Sequence, residues 1–220
     1  MIEDPKRWEV IHGDCLQTTL PDDVAAVISD PPYGMKWNTD STRFSGGQHR
    51  RGDGRSDWLQ VHDDDRPFDP SPWVGFPAVI LWGANHYVQR LLTGTTLVWI
   101  KKHDHLFGTF LSDAEIGWQK GGYGVYCFRD VSNYSTARLG LRVHPTQKPV
   151  ELMRWCIKRL NLAPGSLILD PYAGSGTTGV AAVMEGMRFL GIEREERYVE
   201  IARRRIADAA AQTNLFGGAA

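Results

Sequence analysis

The chain has 220 residues, 42% of them hydrophobic, with 25 basic and 26 acidic side chains and a formal net charge of -1. That is enough apolar content to fill one domain, which excludes disorder as the default, and the charge balance argues neither for nor against a polyanionic partner. The opening MIEDPKRWEV has no apolar signal region, no apolar run reaches membrane-spanning length, and Cys15, Cys127 and Cys156 form no CxxC pair, so the thiols read as reduced in a cytoplasmic protein with no zinc site.

Short apolar runs bounded by Gly, Pro or Asp mark strands at Trp8–Ile11, Val24–Ile28, Ala78–Leu81, Thr96–Ile100, Val125–Phe128, Leu167–Leu169 and Arg188–Ile192. They are apolar almost throughout, as strands buried on both faces are. Helical periodicity separates some of them. Met153, Cys156, Ile157 and Leu160 share one face after Pro149, Thr177 begins a helix of small side chains, and Tyr198, Ile201, Ala202 and Ile206 line a third helix over Glu196–Ala207, with Arg203, Arg204 and Arg205 mainly toward solvent. The alternation predicts a mostly parallel, doubly wound α/β sheet. Gly34–Pro72, polar and glycine-rich, then acidic and proline-rich, is too long for a plain connection and reads as a functional loop. The tail NLFGGAA reads as frayed.

Two stretches carry chemistry. In SDPPY, Ser29–Tyr33, two prolines remove two backbone donors and fix two φ angles, so Asp30, Pro31, Pro32 and Tyr33 are held rigidly at the mouth of a strand. In SLILDPYAGSGTTGVAA, Ser166–Ala182, a buried strand ends at Asp170 and small residues turn the chain into a helix. Gly174 and Gly176 let backbone approach a ligand, the helix start offers unpaired N–H groups, and the absence of a lysine after Gly176 excludes a Walker A loop. Glu193, closing the strand RFLGIE, can accept hydrogen bonds from both hydroxyls of a ribose. The pair fits a nucleoside cofactor without a phosphate cradle, and S-adenosylmethionine is such a molecule. Asp170 either faces its cationic end or caps its own turn.

An exocyclic amino group on a flat base is a poor nucleophile, because its lone pair is delocalised into the ring. Two fixed acceptors, the Asp30 carboxylate and the Pro31 carbonyl with its direction frozen by Pro32, would take its N–H bonds and aim that lone pair, with Tyr33 against the ring. The plain alternative is a proline turn with Tyr33 packed beneath it.

DPPY at Asp30–Tyr33, LDPYAGSGTT at Leu169–Thr178, HPTQKPVEL at His144–Leu152 and IHGDCLQTTL at Ile11–Leu20 resemble motifs of the amino-group DNA methyltransferases, which act on adenine N6 or cytosine N4 and include many phage and restriction–modification enzymes. The catalytic motif precedes the glycine turn, which is the family's beta arrangement. The resemblance implies a circularly permuted Rossmann-like methyltransferase fold in a single domain over residues 1–220. The sheet would be mostly parallel with one antiparallel strand around Val125–Phe128, and the last strand and helix would lie beside the first strand. It implies catalytic roles for Asp30, Pro31, Pro32 and Tyr33. The cofactor site would be formed by Asp14 at the adenine amino group, with Cys15 beside it, by Asp30, by Thr146, Gln147 and Lys148 at the methionine end, and by Asp170, Pro171, Ala173, Gly174, Ser175, Gly176, Thr177, Thr178 and Glu193. S-adenosylhomocysteine would be the product. Aspartate at position 30, where cytosine-N4 enzymes often carry serine, leans toward adenine and leaves cytosine open. An RNA base, a protein glutamine amide, and a non-catalytic nucleic-acid binder are the rivals.

The implied partner is double-stranded DNA with its target base flipped out. Arg43, Arg50, Arg51 and Arg55, with His49 beside them, are the candidate phosphate contacts, against the alternative of a solvated loop pairing with Asp53 and Asp57. Lys101, Lys102, His103 and His105 form a second basic cluster, too sparse in ligands for a metal. Segments 34–72 and 101–142 are the candidate recognition elements. Their shortness leaves two expectations: a short recognition site, or a homodimer whose partner chain supplies DNA contacts.

Overall fold

The computed structural model describes residues 7–40, 62–109, 111–132 and 147–216. Thr146, Arg43, His49, Arg50, Arg51 and Arg55 lie outside the described residues. Seven strands form one sheet in the order β1-β7-β6-β2-β3-β5-β4. They are β1 (Trp8–His12), β2 (Val24–Ser29), β3 (Ala78–Trp82), β4 (Gly94–Ile100), β5 (Ala114–Arg129), β6 (Leu167–Asp170) and β7 (Arg188–Glu193). β2, β3, β6 and β7 are buried along most of their length, which is why their sequences read as unbroken apolar runs. β1, β7, β6, β2 and β3 are parallel neighbours, so their carboxyl ends open at one rim of the sheet.

The first strand pairs with the last, from Trp8 against Phe189 to His12 against Glu193. This closes the permuted order that the motif sequence implies. Among the described residues three α-helices alternate with the later strands: α1 (Val150–Leu160), α2 (Thr177–Met184) and α3 (Glu196–Phe216). α1 starts on Pro149, extended and unable to donate, and stops at Asn161 in the left-handed conformation. α3 runs past the expected Ala207 because no helix breaker intervenes before Phe216.

All three helices pack on one face. Leu152 and Cys156 of α1, Val180 and Val183 of α2, and Ala202 and Ile206 of α3 share a core with Ile28, Ile80 and Phe189 of the strands. No α-helix among the described residues contributes to the core of the opposite face. Phe68, Trp73, Tyr87 and Trp118 cover Val27, Val79 and Leu169 there instead. The physical reason is that PFDPSPW and WGANHY are broken by proline and glycine and cannot propagate a helix, so large aromatic side chains fill the layer.

The antiparallel direction is present, but at a different place. Ile80, Leu81 and Trp82 face Gln119, Trp118 and Gly117 in opposite sense, so the first half of β5 is the reversed strand. Against β4, the pairs run backwards from Thr95–Gln119 to Ile100–Ala114, then forwards from Thr96–Val125 to Ile100–Arg129. β4 therefore lies between the two halves of β5, and Val125–Phe128 runs parallel to it. Gly121 and Gly122, at φ +79° and +68°, make the reversal, where a side chain would be strained.

Arg205 also departs from expectation. It is half-buried, with its guanidinium on the Ser175 carbonyl (2.6 Å) and hydroxyl (2.9 Å), so it props the glycine turn and does not face solvent. α3 approaches that turn closely. A Cβ on Gly176 would lie 2.8 Å from Ala202 Cβ, and Gly176 sits at φ +78°. Its glycine thus serves helix packing. Gly176→Ala is expected to cost about 2–4 kcal/mol in urea unfolding, combining a left-handed penalty of roughly 1–2 kcal/mol with mild overpacking.

Candidate active site

Four neighbouring parallel strands each deliver an acid to the same rim: Asp14 just past β1, Glu193 at the end of β7, Asp170 at the end of β6 and Asp30 just past β2. At a strand spacing of about 4.8 Å the row is about 14 Å long, suited to an elongated ligand carrying cationic groups and hydroxyls. The centre of the row is tied together. Ser29, fully buried, donates its hydroxyl to Asp170 Oδ1 at 2.6 Å, so the strand before DPPY and the strand before the glycine turn share a hydrogen bond across 141 residues. Tyr172 N also donates to that oxygen at 3.1 Å. Burial pushes the Asp170 carboxyl up to about 6, with Ser29, Thr178 and the Tyr172 amide opposing.

In the glycine turn Gly174 and Tyr172 are half-buried, while Pro171, Ala173, Ser175, Gly176, Thr177 and Thr178 are buried. Gly174, at φ +50°, donates its N–H to Glu193 Oε2 at 2.8 Å, and Glu195 N donates to Glu193 Oε1 at 2.8 Å. The carboxylate has lone pairs left for ligand hydroxyls. Ser175 and Thr177 turn their hydroxyls back to Arg205, whose charge burial disfavours.

At the far end, Asp14 accepts from Leu16 N (3.0 Å) and pairs with Arg194 (2.6 Å), and its carboxyl is held below the usual range by the Leu16 amide and Arg194. Arg194 also pairs with Asp63 at 2.9 Å, and His62 contacts Glu195. Cys15 is half-buried beside Tyr172, and burial raises its thiol.

The DPPY segment holds its acid between three groups. Tyr33 donates its hydroxyl to Asp30 Oδ1, and Lys148 Nζ lies 2.5 Å from Asp30 Oδ2 and 3.2 Å from the Tyr33 hydroxyl. Lys148 also meets Glu115 Oε2 at 3.0 Å, and Lys101 meets Glu115 Oε1 at 2.8 Å. Pro31 is buried, and Gln147 is half-buried next to Lys148. Burial pushes the Asp30 carboxyl up against the pull of Lys148. Burial opposes the charge on Lys148, but Asp30 and Glu115 outweigh it and raise its pKa. Burial and the nearby Asp30 and Glu115 raise Tyr33 well above its ordinary value, so it remains a neutral hydrogen-bond donor.

The Tyr33 ring is fixed as firmly as its hydroxyl. His86, exposed on the turn after β3, lies parallel to it with centroids 5.0 Å apart, and a Cβ on Gly83 of the same turn would overlap the ring. Beyond Tyr33, the buried Asp64 accepts from Gly34 N (2.8 Å), Met35 N (3.1 Å) and Trp37 N (2.6 Å), while Lys36 N donates to the Asp64 carbonyl (2.6 Å). Asp64 escaped the sequence reading because one acid in the run DDD looks like any other. Its partners lie 27–30 residues away. Glu115 was missed in the same way, and Lys101, expected only as part of a basic cluster, pairs with it. The second basic cluster is largely neutralised: Lys101 by Glu115, and Lys102 by Asp113 at 2.8 Å.

The acid row, the glycine turn and the rigid DPPY segment meet at one rim of an α/β methyltransferase domain. The DNA methylase family model for N6 and N4 enzymes matches residues 95–204. YubD of Escherichia coli K12 is 43% identical over 230 aligned positions, covering 96% of this chain and 94% of that protein. The type II methyltransferase M2.DpnII of Streptococcus pneumoniae is 49% identical over 74 residues, 32% of this chain and only 26% of that protein. Among solved structures, the M1.HpyAVI–SAM complex superposes with a TM-score of 0.51 at 19% identity, covering 90% of this chain and 99% of that one, a likeness of fold. The chain belongs to the N6/N4 DNA methylase family of S-adenosylmethionine-dependent enzymes.

Two expectations follow from the geometry. Asp64→Ala leaves three backbone N–H groups without their acceptor and should lower stability by about 2–4 kcal/mol in urea unfolding, with Asp64→Asn losing less because one oxygen survives. Asp170 has a folded pKa of about 6, above its unfolded value of about 3.9, so the stabilisation tied to its proton is complete below about pH 4 and lost as pH rises through about 6. Asp170→Asn should flatten the stability difference between pH 4 and 7 by about 2–3 kcal/mol, read as the change relative to wild type.

Proposed function

We propose that this chain methylates adenine N6 in double-stranded DNA, on a base rotated out of the helix, with Asp30 and the Pro31 carbonyl holding the amino group and Tyr33 against the ring. The observation that carries the reading is the fixed Asp30 carboxylate one strand away from the glycine turn, linked to it by Ser29. The cofactor fits the residues present. Glu193 retains acceptor capacity for ribose hydroxyls, Asp14 for an adenine amino group, and Asp170 for a cationic amino-acid end. When bound, S-adenosylmethionine supplies an electrophilic methyl group on a sulfonium.

The chain's own part is positioning. Asp30 accepts one amino N–H and the Pro31 carbonyl the other, which localises the nitrogen lone pair and stabilises the positive charge that grows there. Asp30 is also the nearest acceptor for the proton the amine must shed. The Tyr33 ring offers stacking worth roughly 1–3 kcal/mol, which offsets part of the few kcal/mol that extrusion of a base costs. Asp30 in place of serine supports adenine over cytosine. Arg43, His49, Arg50, Arg51 and Arg55 would supply phosphate contacts, with 34–72 and 101–142 as the reading elements in a single domain. No helix among the described residues is long and apolar enough to cross a membrane, and the place of work would be the cytoplasm, where DNA is accessible.

Methylation of a plasmid library, followed by nucleoside analysis and single-molecule sequencing, tests this. N6-methyladenine in a fixed context is expected; N4-methylcytosine would overturn the base assignment, and unmodified DNA the activity. Asp30→Asn should lower turnover by about 10²–10³-fold with cofactor affinity retained, since Lys148 keeps Glu115 as its partner.

A further inference from the structure

We infer that Glu115 is a positioning residue that shares the Lys148 ammonium and so keeps the Asp30 carboxylate from being fully neutralised by it. The inference deepens the proposed methyl transfer and rests on that reading for its catalytic meaning only. Lys148 places its ammonium between two carboxylates, 2.5 Å from Asp30 and 3.0 Å from Glu115, with only 6% of its side chain exposed. Lys101, from the end of β4, completes a line of alternating charges: Asp30, Lys148, Glu115, Lys101.

Each member has a consequence that its neighbour limits. Asp30 alone, desolvated at the mouth of β2, would take up a proton and lose the charge that draws in an amine. Asp30 with Lys148 alone would form a closed ion pair, with its field spent on the ammonium. Glu115 shares that ammonium and so leaves Asp30 with charge to direct at a second cation. Lys101 in turn keeps Glu115 ionised, which two neighbouring carboxylates would otherwise resist. Among the described residues the other groups near Asp30 are the Tyr33 hydroxyl, Tyr87 from the turn after β3, and Asp170 through Ser29, with His86 on the Tyr33 ring. Tyr87 is buried and donates to the Trp82 carbonyl at 2.6 Å, and burial holds its phenol neutral. None of these supplies a cation to replace Lys148.

The test is a carboxyl titration by carbon-13 NMR of protein labelled at aspartate, with the Asp30 signal assigned by its loss in Asp30→Asn. Glu115→Gln removes a negative neighbour and should move the Asp30 midpoint down by about one unit; Lys148→Gln should move it up by one unit or more. Lys101→Gln, at a more accessible position, should also move it up and serves if the Lys148 variant does not fold. Glu115→Gln is further expected to lower kcat at neutral pH while the cofactor KM stays near wild type. Opposite shifts carry the inference. An Asp30 midpoint unmoved by Glu115→Gln, or moved upward by it, overturns it. If the midpoints diverge as stated but wild type methylates no DNA, the charge array stands and the proposed function falls.

Discussion

The site depends on one short hydrogen bond between strands that the chain order keeps far apart. Ser29 and Asp170 end adjacent parallel strands, both fully or almost fully buried, and their 2.6 Å contact fixes the start of the DPPY segment against the start of the glycine turn. A hydrogen bond to a charged group in a dry setting is stronger than one between neutral partners, and losing either partner leaves the other unsatisfied. Everything proposed for methyl transfer requires the acceptor pocket and the cofactor turn to keep a set separation. This contact, together with the β2–β6 ladder, sets it.

Around that fixed point the chain spends its polar groups on rigidity. Gly83 and His86 pin the Tyr33 ring, Asp64 pins the backbone after it, Glu193 pins Gly174, and Arg205 pins Ser175. Each contact reaches from a different element. Preorganisation of this kind places donors and acceptors before the reacting groups arrive, so little reorganisation is left for the reaction itself.

The sequence revealed those parts whose physics is local. Apolar runs identified β1 to β4, β6, β7 and the second half of β5, the central strands because they are buried on both faces, and DPPY and the glycine turn stood out because proline and glycine restrict or release φ. The pairing of β1 with β7 followed from motif order. What stayed hidden is long-range. Nothing near Ala114 in sequence signals that the chain reverses through Gly121 and Gly122 and straddles β4. Arg205 looks like one more arginine of a solvent face until α3 is docked on the glycine turn. Glu115 and Asp64 are ordinary acids whose partners become visible only when segments tens of residues apart meet.

The Asp64 clasp has a consequence for the stretch it encloses. The backbone departs at Gly34–Trp37 and comes back at Asp64 through a single doorway, with its two jambs bonded to each other. Both ends of the intervening stretch are thus anchored to each other, and strain introduced by a change of sequence or length between them meets the clasp before it reaches Asp30.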